Sequence, residues 1–337
     1  MKRAIQSAAL AASVLAASAG PSLALTIVGN YDDSITSLAN ASAVEAAFAQ
    51  AGSNIGAMLS DPVTVNINVS WGSVAGQSLP SSSLGSSSTS LYGYYSYPQM
   101  KSMLTQSATT AADRSAIAAL PASAPAGQSR YVITAAQAKA LGVVSPTGGV
   151  DGSIGFGANN YTFGQSGGAA PGTYDFVGVA EHEITEVMGR ISGLSSTSPS
   201  FATAEDLFRF SGTGVPSWDY NASSYFSIDN GATDLANFNS SGGGDRGDWL
   251  SASSTNDVAD AFTNPGVTGV LSDIDQTALD VIGWGGNGSG YGSGVVVSTT
   301  KGAASVGVPE PASLTLLAAG TLAAVRLRRR VPTQNAM

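Results

Sequence analysis

Cysteine is absent from all 337 residues. A disulfide scaffold, a thiolate-ligated zinc site and an iron–sulfur cluster are therefore excluded at once. At 43% hydrophobic and 11% charged, the chain is too apolar and aromatic to be disordered and too sparsely charged for a coiled coil. It also contains one histidine, His182. No site that needs two imidazoles can be built from a single copy.

The net charge of −9 understates the acidity, because six of the 14 basic residues lie in the two tails. Between Leu25 and Val308, eight Lys and Arg face 22 Asp and Glu, a net of −14. Sixteen of those acids fall between Asp175 and Asp280, opposed only by Arg190, Arg209 and Arg246. Such a surface repels nucleic acid and anionic membrane and suits divalent cations.

Residues 1–24 read as a secretory signal, with Lys2 and Arg3, an apolar run from Ala8 to Ala17, and the small-x-small cleavage site Ser22-Leu23-Ala24. At the other end stand Val308-Pro309-Glu310-Pro311, an apolar run Ala312–Val325 and the cluster Arg326–Arg330. The run of 14 spans about 21 Å, short of the roughly 30 Å hydrocarbon core, so only transient membrane association is expected. This trio resembles the PEP-CTERM sorting signal (residues 308–330) of Gram-negative bacteria. The resemblance implies recognition by an exosortase and delivery to the cell surface or extracellular matrix. Residues 286–307, rich in Gly and Ser, read as a linker.

The body, 25–285, is expected to be one α+β domain with lobes of about 25–190 and 191–285, the second mostly irregular and acidic. Helical spacing predicts helices at Ala41–Leu59, Pro98–Leu104, Ala111–Leu120 and Ala135–Leu141, and alternation predicts strands at Val63–Val69, Arg130–Thr134 and Gly152–Phe156. The Ser-rich stretch 73–91 reads as loop, as does 157–172. Asp273 is placed as the N-cap of a last helix carrying Ala278, Leu279, Val281 and Ile282.

One segment carries chemistry. In Tyr174–Arg190, Asp175 can cap a helix and Gly189 or Gly193 can end it. Val177, Ala180, Ile184, Val187 and Met188 form its apolar stripe, and His182 and Glu186 lie one turn apart on nearly the opposite side. An imidazole and a carboxylate at i and i+4 can reach one divalent ion. The competing reading is a solvated face, with Glu186 paired to Arg190.

The flanking segments Leu25–Thr36, Asp151–Ile154, Glu181–Arg190, Asp206–Phe210, Tyr225–Asp229, Gly244–Trp249 and Ala278–Trp284 resemble the exosortase-sorted (PEP-CTERM) zinc metalloproteases. That resemblance implies a zincin-like fold: a mixed sheet whose edge strand, here Gly152–Phe156, borders a cleft above the active-site helix. The motif is H-E-x-x-E instead of H-E-x-x-H. The implied site is zinc held by His182, Glu186 and a third acid, with Glu183 as general base and a metal-activated water attacking the peptide bond. Ser192 stands where a metzincin has its third ligand, and no Met-turn follows. Thermolysin-like spacing points to Asp206, twenty residues after Glu186, in preference to its neighbour Glu205; alternatively Asp206 caps a helix or pairs with Arg209. The implied function is a secreted metalloendopeptidase acting on peptide or protein substrates. The alternative is a non-catalytic surface or matrix protein on the same scaffold, its acidic lobe binding polysaccharide, or calcium through acids such as Asp229, Asp245–Asp248 and Asp273/Asp275.

Overall fold

The computed structural model describes residues 25–125, 128–164, 168–196, 201–251 and 256–285. The signal segment, the linker and the sorting segment lie outside them. The described chain is a mixed α+β fold with seven α-helices.

The first lobe opens with β1 (Thr26–Tyr31), α1 (Asp33–Thr36), α2 (Ala41–Met58) and β2 (Thr64–Trp71). The stretch expected to be loop instead contains the hairpin β3 (Ser73–Val74) and β4 (Gln77–Ser78), then β5 (Gly85–Thr89). Next come β6 (Leu91–Tyr95), α3 (Tyr97–Ser107), α4 (Ala111–Ala119), β7 (Tyr131–Thr134), α5 (Ala135–Ala140) and β8 (Gly152–Phe156). The short strands β9 (Tyr161–Thr162) and β10 (Tyr174–Asp175) lead into α6 (Phe176–Val187). The main sheet runs β1-β2-β8-β5. Its first three strands are parallel and β5 is antiparallel to β8, pairing Ser87 with Ile154. The edge strand is therefore β5, and Gly152–Phe156, expected at the edge, is inside the sheet. β5 reads Gly-Ser-Ser-Ser-Thr, with no apolar period to reveal it. Its burial comes from neighbours supplied much later in the chain.

One face of the sheet presents Ile27, Val65, Ile67, Val69, Ile154 and Phe156 to the core beneath α2 and α6. Close approach there needs small residues: a Cβ on Gly52 of α2 would meet Ile27 Cβ at 2.9 Å. The opposite face is polar, with Asn30, Asn68 and Ser153 side by side across three strands.

The second lobe is not wholly irregular. A 3-10 turn at Glu205–Phe208 leads into β11 (Arg209–Gly212), which pairs with β12 (Val215–Pro216) and β13 (Tyr225–Phe226), and β13 with β14 (Ala236–Asn237). The last helix, α7 (Asp273–Val281), is capped by Ser272 and not by Asp273. Ser272 Oγ accepts from Asp275 N, and Asp275 Oδ2 accepts from Ser272 N, a reciprocal pair that satisfies two otherwise orphaned donors. Ser272→Ala is expected to cost about 1 kcal/mol in a urea unfolding titration, the usual loss for a cap.

The domain closes where Gly285 N donates to Asp61 Oδ2 at 2.7 Å and Ser60 N donates to Gly285 O at 2.8 Å. Burial pushes the Asp61 carboxyl up to about 6, against the lowering effect of the Gly285 bond. An acid whose folded value exceeds its unfolded one binds more protons when folded, so it subtracts stability as pH rises. Between about pH 4 and 6 the wild type is expected to lose stability relative to Asp61→Asn, whose amide oxygen still accepts from Gly285. Parallel urea titrations at pH 4 and 6.5 check this.

Candidate metal centre

Helix α6 starts at Asp175, whose Oδ1 accepts from Val177 N at 3.1 Å, and ends at Met188 before Gly189, where φ is +114°. Every one of its residues is buried. The face that carries His182 and Glu186 is therefore not solvated, because β5 and the second lobe close over it.

Three side chains meet there. His182 Nε2 lies 3.7 Å from Glu186 Oε1 and 3.5 Å from Asp248 Oδ1. One ligand atom from each of these residues lies within 4.8 Å of the others, the single such group among the described residues. On the far side of the ring, His182 Nδ1 is 2.7 Å from the Val258 carbonyl. A carbonyl only accepts, so Nδ1 carries the proton, and in the neutral ring the Nε2 lone pair faces the two acids. This is the tautomer that metal-ligating histidines adopt. Glu186 is oriented from its other oxygen, where Oε2 accepts from Ser87 Oγ on β5 at 2.7 Å. The serine-rich edge strand thus has a direct role at the site.

Asp248 is held by Arg190. Both terminal nitrogens of the guanidinium lie 3.4 Å from Asp248 Oδ1, NH1 also donates to Gly247 O, and Nε donates to Thr185 Oγ1 at 3.0 Å. The Thr185 hydroxyl in turn donates to His182 O. Arg190, expected to pair with Glu186 in solvent, is wholly buried. Burial disfavours its charge, but Asp248, Glu205 and Glu186 more than compensate and its pKa rises. Burial would also raise Glu186, yet His182 beside it, in its protonated form, together with Arg190 and Ser87, draws its carboxyl down to about 2. Asp248 moves the other way, its burial outweighing the pull of His182 and Arg190.

Glu183 points at the edge strand. A Cβ on Gly85 would collide with its Oε1, so glycine at that position makes room for the carboxylate. Glu186, Asp248 and Glu183 thus share this buried face with Arg190 and His182.

Asp206 is not part of the group. Its Oδ1 accepts from Ser192 Oγ at 2.6 Å, and its Oδ2 accepts from Gly193 N and Thr203 N, each at 2.9 Å. Arg209 Nε stands 3.6 Å away. Both its oxygens are engaged in tying loop 191–193 to residues 203–206, and the acid that joins His182 and Glu186 is Asp248. Glu205 is not at the third position either: it is fully buried, with its carboxyl raised well above the usual range by that burial despite Arg190 and Arg209 nearby. It packs on Gly247, where a Cβ would lie 2.9 Å from its Oε2. Of the acids weighed as calcium ligands, Asp229 bonds to Ser227 and Thr233, and Asp275 accepts from Trp249 Nε1.

Asp248 stood among the acids weighed for calcium, but spacing did not assign it to the His182 site because it arrives 62 residues after Glu186, from another lobe. The signal that could have found it was its segment, Gly244-Asp-Arg-Gly-Asp-Trp249, one of those that carried the family resemblance.

Residues 307–330 match the PEP-CTERM protein-sorting motif. This is an exported protein of Gram-negative cells. The motif implies recognition by an exosortase during sorting and a final place at the cell surface or outside the cell. No curated protein and no solved structure matches the chain.

Proposed function

We propose that the exported protein is a zinc-dependent metallopeptidase of zincin-like build. The observation that carries this reading is the spacing around His182 Nε2. Ligands at about 2.0–2.2 Å from a tetrahedral ion stand roughly 3.3–3.6 Å apart, and the acid oxygens lie at 3.5 and 3.7 Å. The donor set of one imidazole and two carboxylates fits zinc. His182, Glu186 and Asp248 would hold the ion, leaving one position open as in catalytic zinc sites. Zinc bound there supplies a Lewis acid that makes water nucleophilic near neutral pH.

The chain's own residues do the rest. Val258 O fixes the imidazole, Ser87 fixes Glu186, and Arg190 aligns Asp248 while offsetting one of the two ligand charges. Glu183, the residue after the first ligand, accepts a proton at its carboxylate as the peptide bond is attacked and returns it to the leaving amine. Helix α6 beneath a mixed sheet with an antiparallel edge strand is consistent with the zincin arrangement.

A second reading has its own support. The side chains of His182, Glu186 and Asp248 are only 5%, 7% and 2% exposed, and the hollow beside His182 holds about 20 Å³, room for one water. An ion so enclosed suits a structural site in a non-catalytic surface protein. Metal analysis of protein purified without chelators, paired with a casein-cleavage assay, separates the two. One zinc per chain with proteolysis supports the peptidase, zinc without proteolysis supports the structural site, and no zinc removes both. Added zinc is expected to raise the melting temperature. At a hundred times the dissociation constant the gain is about 2.7 kcal/mol, and His182→Ala should abolish it.

A further inference from the structure

The polar face of the main sheet has a feature that the metal centre does not use. Parallel strands are ordinarily covered on both faces, but among the described residues α2 and α6 cover one face of β1, β2 and β8, and the β3–β4 hairpin lies against the other. Asparagine is depleted in strands, yet Asn30 of β1 and Asn68 of β2 sit directly opposite each other, with Ser153 of β8 next in the row. Both asparagines are exposed, and among the described residues neither carboxamide is committed to a side-chain hydrogen bond.

The row floors a groove of about 480 Å³, within the range of small-molecule sites. Asp32 and Ser70 extend the floor, and the β3–β4 hairpin forms a wall with Ser73, Ala75 and Gly76. The hairpin is seated closely: Ser73 O packs against Gly155 of β8, where any Cβ would collide with it. Its turn holds Ala75 at φ +47°, a conformation that costs a non-glycine residue energy, of order 1–3 kcal/mol. The wall is thus fixed against the floor.

We infer that this groove is a binding site for a neutral saccharide. Each carboxamide offers a donor pair and an acceptor on one planar group, which matches the vicinal hydroxyls of a sugar, and Ser153 adds a hydroxyl. The groove contains no Lys or Arg, and Asp32 is its one charged lining residue, so phosphorylated or uronate-bearing ligands are repelled. An exported protein works where polysaccharide is at hand.

The test is affinity electrophoresis of the purified full chain in native gels containing hydroxyethyl cellulose, dextran or galactomannan, with alginate as the anionic comparison. At least one neutral polymer is expected to retard the protein, and alginate is not. In the double variant Asn30→Val/Asn68→Val the apparent dissociation constant should rise at least tenfold. Valine is favoured in strands, so this variant should melt no lower than the wild type, which separates loss of binding from loss of fold. Asn237→Val, an exposed strand asparagine elsewhere, should bind as the wild type does. Absence of retardation in all three neutral gels, retardation that survives the double substitution, or retention by alginate that the substitution removes would each overturn the assignment.

Discussion

Glu183→Gln is expected to lower casein cleavage by 10²–10⁴-fold, the usual contribution of a positioned general base, while zinc content stays at the wild-type level. The amide keeps the volume of the side chain that fills the space over Gly85, so packing is preserved and only the proton acceptor is lost. Glu183 is separate from the group that would hold the ion, and its removal should leave the melting temperature responsive to zinc. A variant with activity within a few-fold of wild type would remove Glu183 from the chemistry. Loss of zinc together with activity would make it a ligand instead.

The second large effect is a reciprocal pair. Asp248→Ala should abolish stoichiometric zinc, whereas Asp206→Ala should keep the metal preference of the site but destabilise the fold. Asp206, wholly buried, accepts bonds from Ser192, Gly193 and Thr203. Removing a buried charged partner of this kind typically costs about 3–5 kcal/mol, which urea titration of the apo forms would read directly. In Asp248→Ala the wholly buried Arg190 loses its carboxylate partner and keeps only Thr185 and the Gly247 carbonyl, so a loss of similar size is expected there, and zinc content is the reading that separates the two variants. If Asp206→Ala removed zinc while Asp248→Ala retained it, the assignment of the third ligand would be reversed.

The pattern of what the sequence revealed has physical reasons. The helices Ala41–Met58 and Phe176–Val187 were legible because local periodicity and caps write them, and His182 with Glu186 was legible because one helical turn fixes their spacing. β5 was hidden because its identity as a strand is set by β8 and α6, and five small polar residues carry no period of their own. Asp206 was selected by a spacing borrowed from thermolysin-like enzymes, but loop 191–193 captures it first. Asp248 and Arg190 were hidden because their pairing joins two lobes, and a charge at helical i+4 spacing from Glu186 looks like a surface pair until that face is covered.

The strand order has a consequence for how the chain reaches this state after export. β8 inserts between β2 and β5, so β5 cannot pair until a segment more than 60 residues further along has arrived. Such non-local pairing closes large loops before any reward is gained, and slows folding. During that wait β2, with its alternating Val65, Ile67 and Val69, is an unpaired edge open to other chains. The asparagines interleaved with those apolar residues then act as a safeguard, since they weaken the pairing of one nascent copy with another. Refolding of Asn68→Val from urea at rising protein concentration should accordingly show more aggregation than the wild type, even where its folded state is no less stable.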